Sequence, residues 1–209
     1  MRRRARAPSI RNVDVLGSAL VGTRRLELRG GDITTIVADV IVNAANSGLR
    51  GGGGVDGAIH HAAGPGLIAE LRDRYASTPT GTAVITGAHG LAARWVIHAV
   101  GPAWRGGERK EAALLASAYR ASLALADEVG ARSVAFPAIS CGIFGFPLAE
   151  AAAIALETVL MHLAGPTTVE LVTFVLRGAE VQRAFLRALD RTETPVDGST
   201  VNPDNVGQD

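Results

Sequence analysis

Cysteine is almost absent from this sequence of 209 residues, in which Cys141 is the only one. A single cysteine excludes an internal disulfide, so a reducing compartment, the cytoplasm, is the expected location. No uninterrupted apolar stretch reaches the length of about 18 residues that a membrane span needs. The basic start, Met1 to Pro8, is not followed by the apolar run of a secretory signal. Neither a membrane association nor a secretory route is therefore expected.

An excess of one charge is also lacking, since the chain has 21 basic residues, 20 acidic residues and a formal net charge of +1. A balanced chain carries no electrostatic signal for nucleic-acid binding. Paired histidines or cysteines at metal-binding spacing are missing as well, so no metal site is predicted.

The hydrophobic fraction of 47% is sufficient for one sizeable core, and the length suits one domain. We predict that this domain spans residues 13–190. A basic leader, residues 1–12, and a polar tail, residues 191–209, are expected to be flexible because they offer little apolar surface to bury.

Short β-branched runs alternate with stretches of helical periodicity along the predicted domain. Strands are predicted at residues 37–43, 83–86, 95–100, 133–138 and 169–176, with a half-exposed edge strand at Leu26 and Leu28. Helices are predicted at residues 111–129, 148–163 and 180–189, and one begins near Val55. This alternation predicts an α/β fold with a largely parallel sheet, in which ligands bind at the carboxyl ends of the strands.

The first glycine-rich loop follows the predicted strand that ends at Asn43, and it contains four consecutive glycines, Gly51 to Gly54. Because glycine has no Cβ, backbone N–H groups can approach a ligand closely in such a loop. The helix that begins near Val55 points its positive end toward the loop, which favours an anion such as a pyrophosphate.

A second glycine-containing loop, residues 139–147, follows the strand predicted at 133–138 and also leads into a helix. Either loop alone is compatible with a tight strand-to-helix turn. Two loops of this length and composition instead favour a clamp that holds a diphosphate from both sides.

The GxGxxG dinucleotide-binding pattern is matched by Gly52, Gly54 and Gly57, so a Rossmann dehydrogenase is one alternative. In that motif the glycines begin at the strand end and an acidic residue follows about 20 positions later. Here residues 46–51 intervene and position 77 is a serine, so the match is rejected. The lysine of a P-loop NTPase is also missing, and Ser140 lacks the preceding glycine of a nucleophile elbow.

Asp56 is the acidic residue best placed for chemistry, because it lies in the first turn of the helix that follows the glycines. The alternative is a structural role in starting that helix. Asn43 and Asn46 carry amides that can bind hydroxyl groups, and His60 lies at position i+4 on the helix face of Asp56. A carboxylate beside a sugar could orient a water molecule and act as a general base.

Several motifs occur in order along the chain, with appropriate gaps between them. They are Gly31-Asp32-Ile33-Thr34, Val42 to Ser47, Gly51 to His60, Val96-Ile97-His98 with Val100-Gly101-Pro102, and Ala135 to Pro147. Over roughly residues 24–189 the chain resembles the macrodomain family, and within it the MacroD type. The resemblance implies a three-layer α/β/α fold, with a central mixed, largely parallel sheet and a cleft for ADP-ribose.

The resemblance also implies a role for each part of that cleft. Asp32 would bind the adenine amino group, with the Ile33 backbone beside it. Asn46, Asp56 and His60 would face the distal ribose and form the catalytic set. The remaining ligand-binding residues would be Asn43, Gly51, Gly52, Gly53, Gly54, Val55, Ser140, Cys141, Gly142, Ile143 and Phe144, of which the two loops hold the diphosphate.

Activities of the family include removing ADP-ribose from Asp or Glu side chains and deacetylating O-acetyl-ADP-ribose. We therefore predict a cofactor-independent hydrolase of ADP-ribosyl esters, which acts on ADP-ribosylated proteins or O-acetyl-ADP-ribose. Nucleic acid is expected only as a carrier of ADP-ribose. The alternatives are a non-catalytic ADP-ribose reader and a phosphatase that acts on ADP-ribose 1″-phosphate.

Four further residues carry expectations of their own. His98, inside a predicted strand, is expected to be a satisfied core histidine, and Cys141 a structural thiol. Many relatives have an aromatic or acidic segment after the last strand that frames the adenine. Here that strand runs into Arg177, and either Phe174 or Arg177 could pack on the base, with a core position for Phe174 as the alternative.

Overall fold

The computed structural model describes residues 14–193. Within this range the chain forms one seven-stranded sheet, five α-helices and a short 3₁₀ helix at Ile33–Thr35. The strands are β1 (Val15–Val21), β2 (Arg24–Gly30), β3 (Val40–Ala45), β4 (Ala83–Gly87), β5 (Trp95–Val100), β6 (Ser133–Phe136) and β7 (Leu171–Leu176). The α-helices are α1 (Gly54–Ala63), α2 (Pro65–Arg74), α3 (Glu111–Glu128), α4 (Leu148–Ala164) and α5 (Ala179–Glu193).

The sheet has the strand order β1-β2-β7-β6-β3-β5-β4. The two outer pairs, β1 with β2 and β4 with β5, are antiparallel. The four inner pairs are parallel. The sheet is therefore mixed and largely parallel, as predicted.

Helices cover both faces of this sheet. Val40 and Val42 of the central strand β3 pack in one core with side chains of α3, α4 and α5. Ile41, between them, packs in a second core with side chains of α1 and α2. Because successive side chains of a strand point to opposite faces, the two cores lie on opposite sides of the sheet. This arrangement confirms the three-layer α/β/α fold.

The prediction that Leu26 and Leu28 lie on a half-exposed edge strand is wrong. These residues lie on β2 and are fully buried, because β1 pairs with β2 and takes the edge. Strand β1 is not predicted from the sequence, because Leu20 is 70% exposed and burial does not alternate strictly along the strand. Helix α2 is not predicted either, although it begins at Pro65, a residue that favours the first helical turn.

Other boundaries differ by a few residues. The strand predicted at 37–43 begins at Val40, since Val37 is exposed and its side chain adds nothing to the core. Helix α5 continues to Glu193, beyond the predicted domain boundary at residue 190. The predicted flexible leader, residues 1–12, and residues 194–209 of the predicted tail lie outside the described residues.

The parallel strands place their carboxyl ends at one edge of the sheet, where the loops that follow β2, β3, β5, β6 and β7 meet. The candidate site is built from these loops. Among the helices between residues 14 and 193, none has both the length and the hydropathy to cross a bilayer.

Candidate functional site

A cleft of about 250 Å³, here called the main cleft, lies between the loops that follow β3 and β6. Ten of the predicted site residues form part of its wall. They are Asn46, Gly52, Gly53, Gly54, Val55, Asp56, Ser140, Gly142, Ile143 and Phe144. The two glycine-containing loops therefore face each other, as the clamp model requires.

A neighbouring cavity of about 340 Å³, here called the side cavity, shares the wall residues Gly54, Val55, Ala138 and Gly142 with the main cleft. The two spaces are therefore adjacent. The side cavity is also lined by Asp32, Ile33, Cys141, Val175, Arg177 and Val181.

The first loop delivers the N-terminus of α1 to the main cleft. The N-cap of α1, Gly53, makes no side-chain hydrogen bond, and the first residues of the helix, Gly54 to Asp56, line the cleft. The first N–H groups of a helix have no partner within the helix, and they carry the positive end of its dipole. Gly54 has a φ of +63°, which glycine adopts without strain. This part of the wall is suited to an anion.

The second loop is held by backbone contacts and by close packing. Ser140 has a left-handed φ of +65°. A Cβ at position 101 would lie 2.3 Å from the Ser140 Oγ and 2.5 Å from the Ile139 Cγ2, so only glycine leaves room there for these two side chains. The backbone N–H of Trp104 donates to the Phe144 carbonyl oxygen at 2.8 Å. The Trp104 ring packs on the Phe146 ring, with 4.7 Å between the ring centroids. The loop is therefore anchored to the segment that follows β5.

Asp56 lies at the centre of a buried polar cluster. Its Oδ1 accepts a hydrogen bond from Asn43 Nδ2 at 2.7 Å and lies 3.3 Å from His60 Nε2. Asp56 is only 5% exposed, yet it forms part of the main cleft wall. Within residues 14–193 its Oδ2 makes no hydrogen bond. This oxygen lies 3.1 Å from the point that a Cβ would occupy if residue 52 were not glycine. One oxygen of the carboxylate is thus held in place, and the other points toward the glycine run.

The cluster continues from Asn43 into the sheet. Asn43 Nδ2 lies 3.2 Å from His98 Nδ1, and His98 Nε2 lies 3.0 Å from Thr86 Oγ1. His98 is fully buried, as expected for a satisfied core histidine. Burial, together with the nearby His60, lowers the pKa of His98 to about 3, so its ring is neutral at physiological pH.

Asp32 lies at the mouth of the side cavity and caps the short 3₁₀ helix. Its Oδ1 accepts from the Thr34 N–H at 2.9 Å and from the Thr34 Oγ1 at 2.8 Å. The Asp32 residue is exposed, whereas Ile33 is 4% exposed and belongs to the second core. The cap occupies Oδ1, so it fixes the direction of the carboxylate and leaves Oδ2 for a ligand.

Three predicted site residues line neither space. Asn43 is fully buried and contacts Asp56 and His98. His60 lies behind Asp56, and the Gly51 carbonyl accepts from Asn46 Nδ2 at 2.8 Å. These three positions support the wall of the cleft from behind. They are not part of its surface.

Other wall residues are absent from the sequence-based set. In the main cleft they include Ala44 and Ala45 at the end of β3, Gly101 directly after β5, and Ile139 in the loop that follows β6. Their place at strand ends is the signal that could have identified them. Phe174 belongs to the core with 0% exposure, so it is excluded as the residue that packs on a base. Cys141 lines the side cavity and its thiol donates to the Ile139 carbonyl oxygen at 3.5 Å, and burial raises the pKa of this thiol to about 12.

No cluster of three or more His, Cys, Asp or Glu side chains able to hold a metal ion occurs within the described part of the chain. The polar groups that the site presents are the carboxylate of Asp56, the amide of Asn46 and the backbone N–H groups of the two loops.

A family model described as Macro domain matches residues 42–155. The chain is 51% identical over 170 residues to an O-acetyl-ADP-ribose deacetylase of Salmonella gallinarum, which covers 80% of this chain and 95% of that protein. The fold is similar to the Oceanobacillus iheyensis macrodomain with ADP, with a TM-score of 0.80, 41% identity, and coverage of 84% and 95%. It is also similar to the Trypanosoma brucei macrodomain in complex with ADP-ribose, with a TM-score of 0.73, 35% identity, and coverage of 78% and 68%. The chain belongs to the Macro domain family.

Proposed function

We propose that this protein is an ADP-ribose-binding hydrolase that cleaves esters of the distal ribose. Its substrates would be O-acetyl-ADP-ribose and proteins that carry ADP-ribose on Asp or Glu side chains. Both are esters on the same ribose, so one water-positioning site serves both. The similarity to a relative named as an O-acetyl-ADP-ribose deacetylase supports the first substrate, and the chemistry of the ester bond supports the second.

The observation that carries the proposal is the placement of Asp56. This carboxylate forms part of the main cleft wall directly after the glycine run, with Oδ1 fixed by Asn43 and Oδ2 unengaged. A protein that only binds ADP-ribose does not require an oriented base at this position. General-base catalysis requires a carboxylate within hydrogen-bonding reach of the attacking water, and a fixed carboxylate meets that requirement.

The diphosphate would lie in the main cleft between the two loops. Gly52 to Val55 offer backbone N–H groups at the positive end of α1, and the loop from Ser140 to Phe144 closes the other side. The Ser140 Oγ is packed against Gly101 and is buried without a hydrogen-bond partner within the described residues, so a rotation of the side chain would bring its unused donor toward a phosphate oxygen. Ile143 is 85% exposed. Its Cδ1 lies 3.5 Å from the point that a Cβ would occupy at Gly53, so the Ile143 side chain extends over the cleft toward the glycine run.

The adenine base would occupy the side cavity. Asp32 would accept from the exocyclic amino group through Oδ2, while Ile33, Val55 and Val181 supply apolar walls. None of the described residues that line this cavity is aromatic, and Arg177 is the only one of them with a guanidinium group. We assign Arg177 to packing on the base, since a guanidinium group stacks well on aromatic rings.

In the reaction, Asp56 would take a proton from water as the water oxygen attacks the acyl carbonyl carbon. The bond between that carbon and the ribose oxygen then breaks, and the ribose oxygen takes up the proton. His60 and Asn43 would hold Asp56 in place, and Asn46 would hold the glycine run through the Gly51 carbonyl. No cofactor is required for these steps. The lone cysteine is consistent with a reducing compartment, and we place the activity in the cytoplasm.

The test is incubation of the protein with O-acetyl-ADP-ribose, and separately with a glutamate-ADP-ribosylated protein, in water enriched in ¹⁸O. We expect free ADP-ribose from both substrates. Label in the released acetate or glutamate would support attack on the carbonyl carbon, and unlabelled acetate or glutamate would show attack on the ribose carbon instead. Binding of ADP-ribose without release from either substrate would overturn the hydrolase proposal and leave a reader.

A further inference from the structure

A chain of four polar side chains crosses the sheet behind the main cleft. It runs from Thr86 on β4 to His98 on β5, then to Asn43 on β3, and ends at Asp56 on α1. All four residues are buried: Thr86, His98 and Asn43 are 0% exposed and Asp56 is 5% exposed. The donor and acceptor capacities of these groups fix the direction of each bond in the chain, and the Asn43 Oδ1 is left without a partner among the described residues.

The carboxylate of Asp56 fixes the orientation of the Asn43 amide. An ionised carboxylate only accepts hydrogen bonds, so the Asn43 atom 2.7 Å from Oδ1 must be the NH₂ group. The second hydrogen of that same NH₂ group is then available to His98 Nδ1 at 3.2 Å. A flipped amide would instead place its oxygen against the carboxylate.

The orientation of Asn43 in turn fixes the tautomer of His98. Because the NH₂ group donates, Nδ1 must accept, and the single proton of the neutral ring lies on Nε2. The Nε2–H group then donates to Thr86 Oγ1 at 3.0 Å. A protonated ring would direct an Nδ1–H group against the Asn43 NH₂ group and break the chain. The low pKa of His98 agrees with a neutral ring.

The charged and titratable groups around His98 do not disturb this state. His60 lies on α1 with its ring 6.2 Å from that of His98, and its positive charge would oppose a second charge there. Asp56 on α1 and Glu70 on α2 act in the opposite direction, but desolvation by burial is the larger effect.

We propose that His98 is a positioning residue for the hydrolysis, which as the Nε2-protonated tautomer holds Asn43 and, through it, the Asp56 carboxylate. The proposal rests on the proposed function, in which Asp56 is the base. His98 does not reach the main cleft, so its effect on the reaction passes through the orientation of Asn43. Without the acceptor at Nδ1, the Asn43 amide can rotate, and Oδ1 of Asp56 loses its fixed donor.

Two substitutions separate the hydrogen bonds of His98 from its volume. His98→Phe fills the space but removes both bonds. His98→Gln can accept from Asn43 through its amide oxygen and donate to Thr86 through its amide nitrogen. For deacetylation of O-acetyl-ADP-ribose we expect kcat to fall by up to about 10²-fold in His98→Phe, as for a misplaced catalytic group, with KM nearly unchanged. His98→Gln is expected to recover most of kcat.

The matched control is Ile97→Val, which trims the adjacent buried side chain of β5 without touching the chain of hydrogen bonds. It should lower the melting temperature and leave kcat unchanged. An unchanged kcat in a folded His98→Phe protein would overturn the proposal. So would a kcat of His98→Gln as low as that of His98→Phe when both proteins are folded.

A measurement on the wild-type protein does not depend on activity. In ¹⁵N-labelled protein, the His98 ring should show a protonated Nε2 and an unprotonated Nδ1 between pH 5 and pH 8. The opposite tautomer, or a doubly protonated ring in that range, would overturn the proposal even if His98→Phe did not fold. A wild-type protein that shows this tautomer but hydrolyses neither ester would instead contradict the proposed function and leave the hydrogen-bond chain intact.

Discussion

The α-carbon of Gly57 lies so close to the backbone of Gly52 that a Cβ on Gly57 would be 2.6 Å from the Gly52 carbonyl oxygen. Gly57 is inside α1, and Gly52 belongs to the glycine run that lines the main cleft. The first turns of the helix and the glycine run therefore fit together only when residue 57 has no side chain. The shape of the cleft wall depends on this contact.

We predict that Gly57→Ala weakens ADP-ribose binding. Alanine normally stabilises a helix by about 1 kcal/mol relative to glycine. Here the added methyl group must displace the Gly52 carbonyl, and overpacking of this kind costs about 1–3 kcal/mol. If the displaced run holds the diphosphate, affinity falls by roughly ten- to a hundredfold, which calorimetry would detect.

The control for this change is Ala62→Gly, at an exposed position of the same helix. It should lower the free energy of unfolding by about 1 kcal/mol through helix propensity alone and leave affinity unchanged. An unaltered dissociation constant for Gly57→Ala would mean that the glycine run does not hold the diphosphate.

The parts of the fold that the sequence predicts are those in which burial follows a regular pattern, nearly continuous along β5 and periodic along α3 and α4. Strand β5 and helices α3 and α4 lie where apolar periodicity places them. Strand β1 is different, because its exposed and half-buried residues follow no strict alternation. Gly17 of β1 packs under Leu186 and Leu189 of α5, a tertiary contact that leaves no local signal. Because β1 is not predicted, β2 is wrongly expected to be the edge strand of the sheet.

The two glycine-containing loops of the site are predictable, since glycine runs between a strand and a helix have a local signature. The support behind the cleft is not. Asn43 and His98 are 55 positions apart in the chain and meet because β3 and β5 pair in parallel with these two residues in register. The side cavity likewise combines Asp32, Val175 and Arg177 from loops and strands whose order in the sheet differs from their order in the sequence.

Two substitutions at Asp32 should separate its contribution to ADP-ribose binding from its contribution to stability. Asp32→Ala removes both the cap to Thr34 and the carboxylate that faces the side cavity, whereas Asp32→Ser keeps a capping oxygen. Both variants should weaken ADP-ribose binding by about 1–3 kcal/mol in calorimetry. Only Asp32→Ala should lose about 1 kcal/mol of stability in thermal or denaturant unfolding. Wild-type affinity in Asp32→Ser would remove Asp32 from the base site.

For Cys141 we predict slow reaction with thiol reagents. Burial raises its pKa to about 12, so the thiolate, which is the reactive form, is scarce at pH 8. The thiolate fraction should be roughly a thousandfold below that of an ordinary cysteine with a pKa of about 8.5. The rate of reaction with a disulfide reagent should therefore still rise about tenfold per pH unit between pH 9 and pH 10. Because Cys141 is the only cysteine, the signal is unambiguous; a plateau near pH 9 would contradict the assignment.

Asp56→Asn tests the base directly. The amide oxygen of the new side chain can still accept from Asn43, so the fold and the cleft wall should survive, but the side chain can no longer take a proton from water. We expect single-turnover release of acetate from O-acetyl-ADP-ribose to slow by about 10²–10⁴-fold. ADP-ribose binding should change much less, because the diphosphate and base contacts remain. Asp73→Asn, at an exposed position on α2, is the charge-matched control and should match wild type. If Asp56→Asn also released acetate at the wild-type rate, Asp56 would be a helix-start residue, and the base would have to be sought elsewhere in the main cleft.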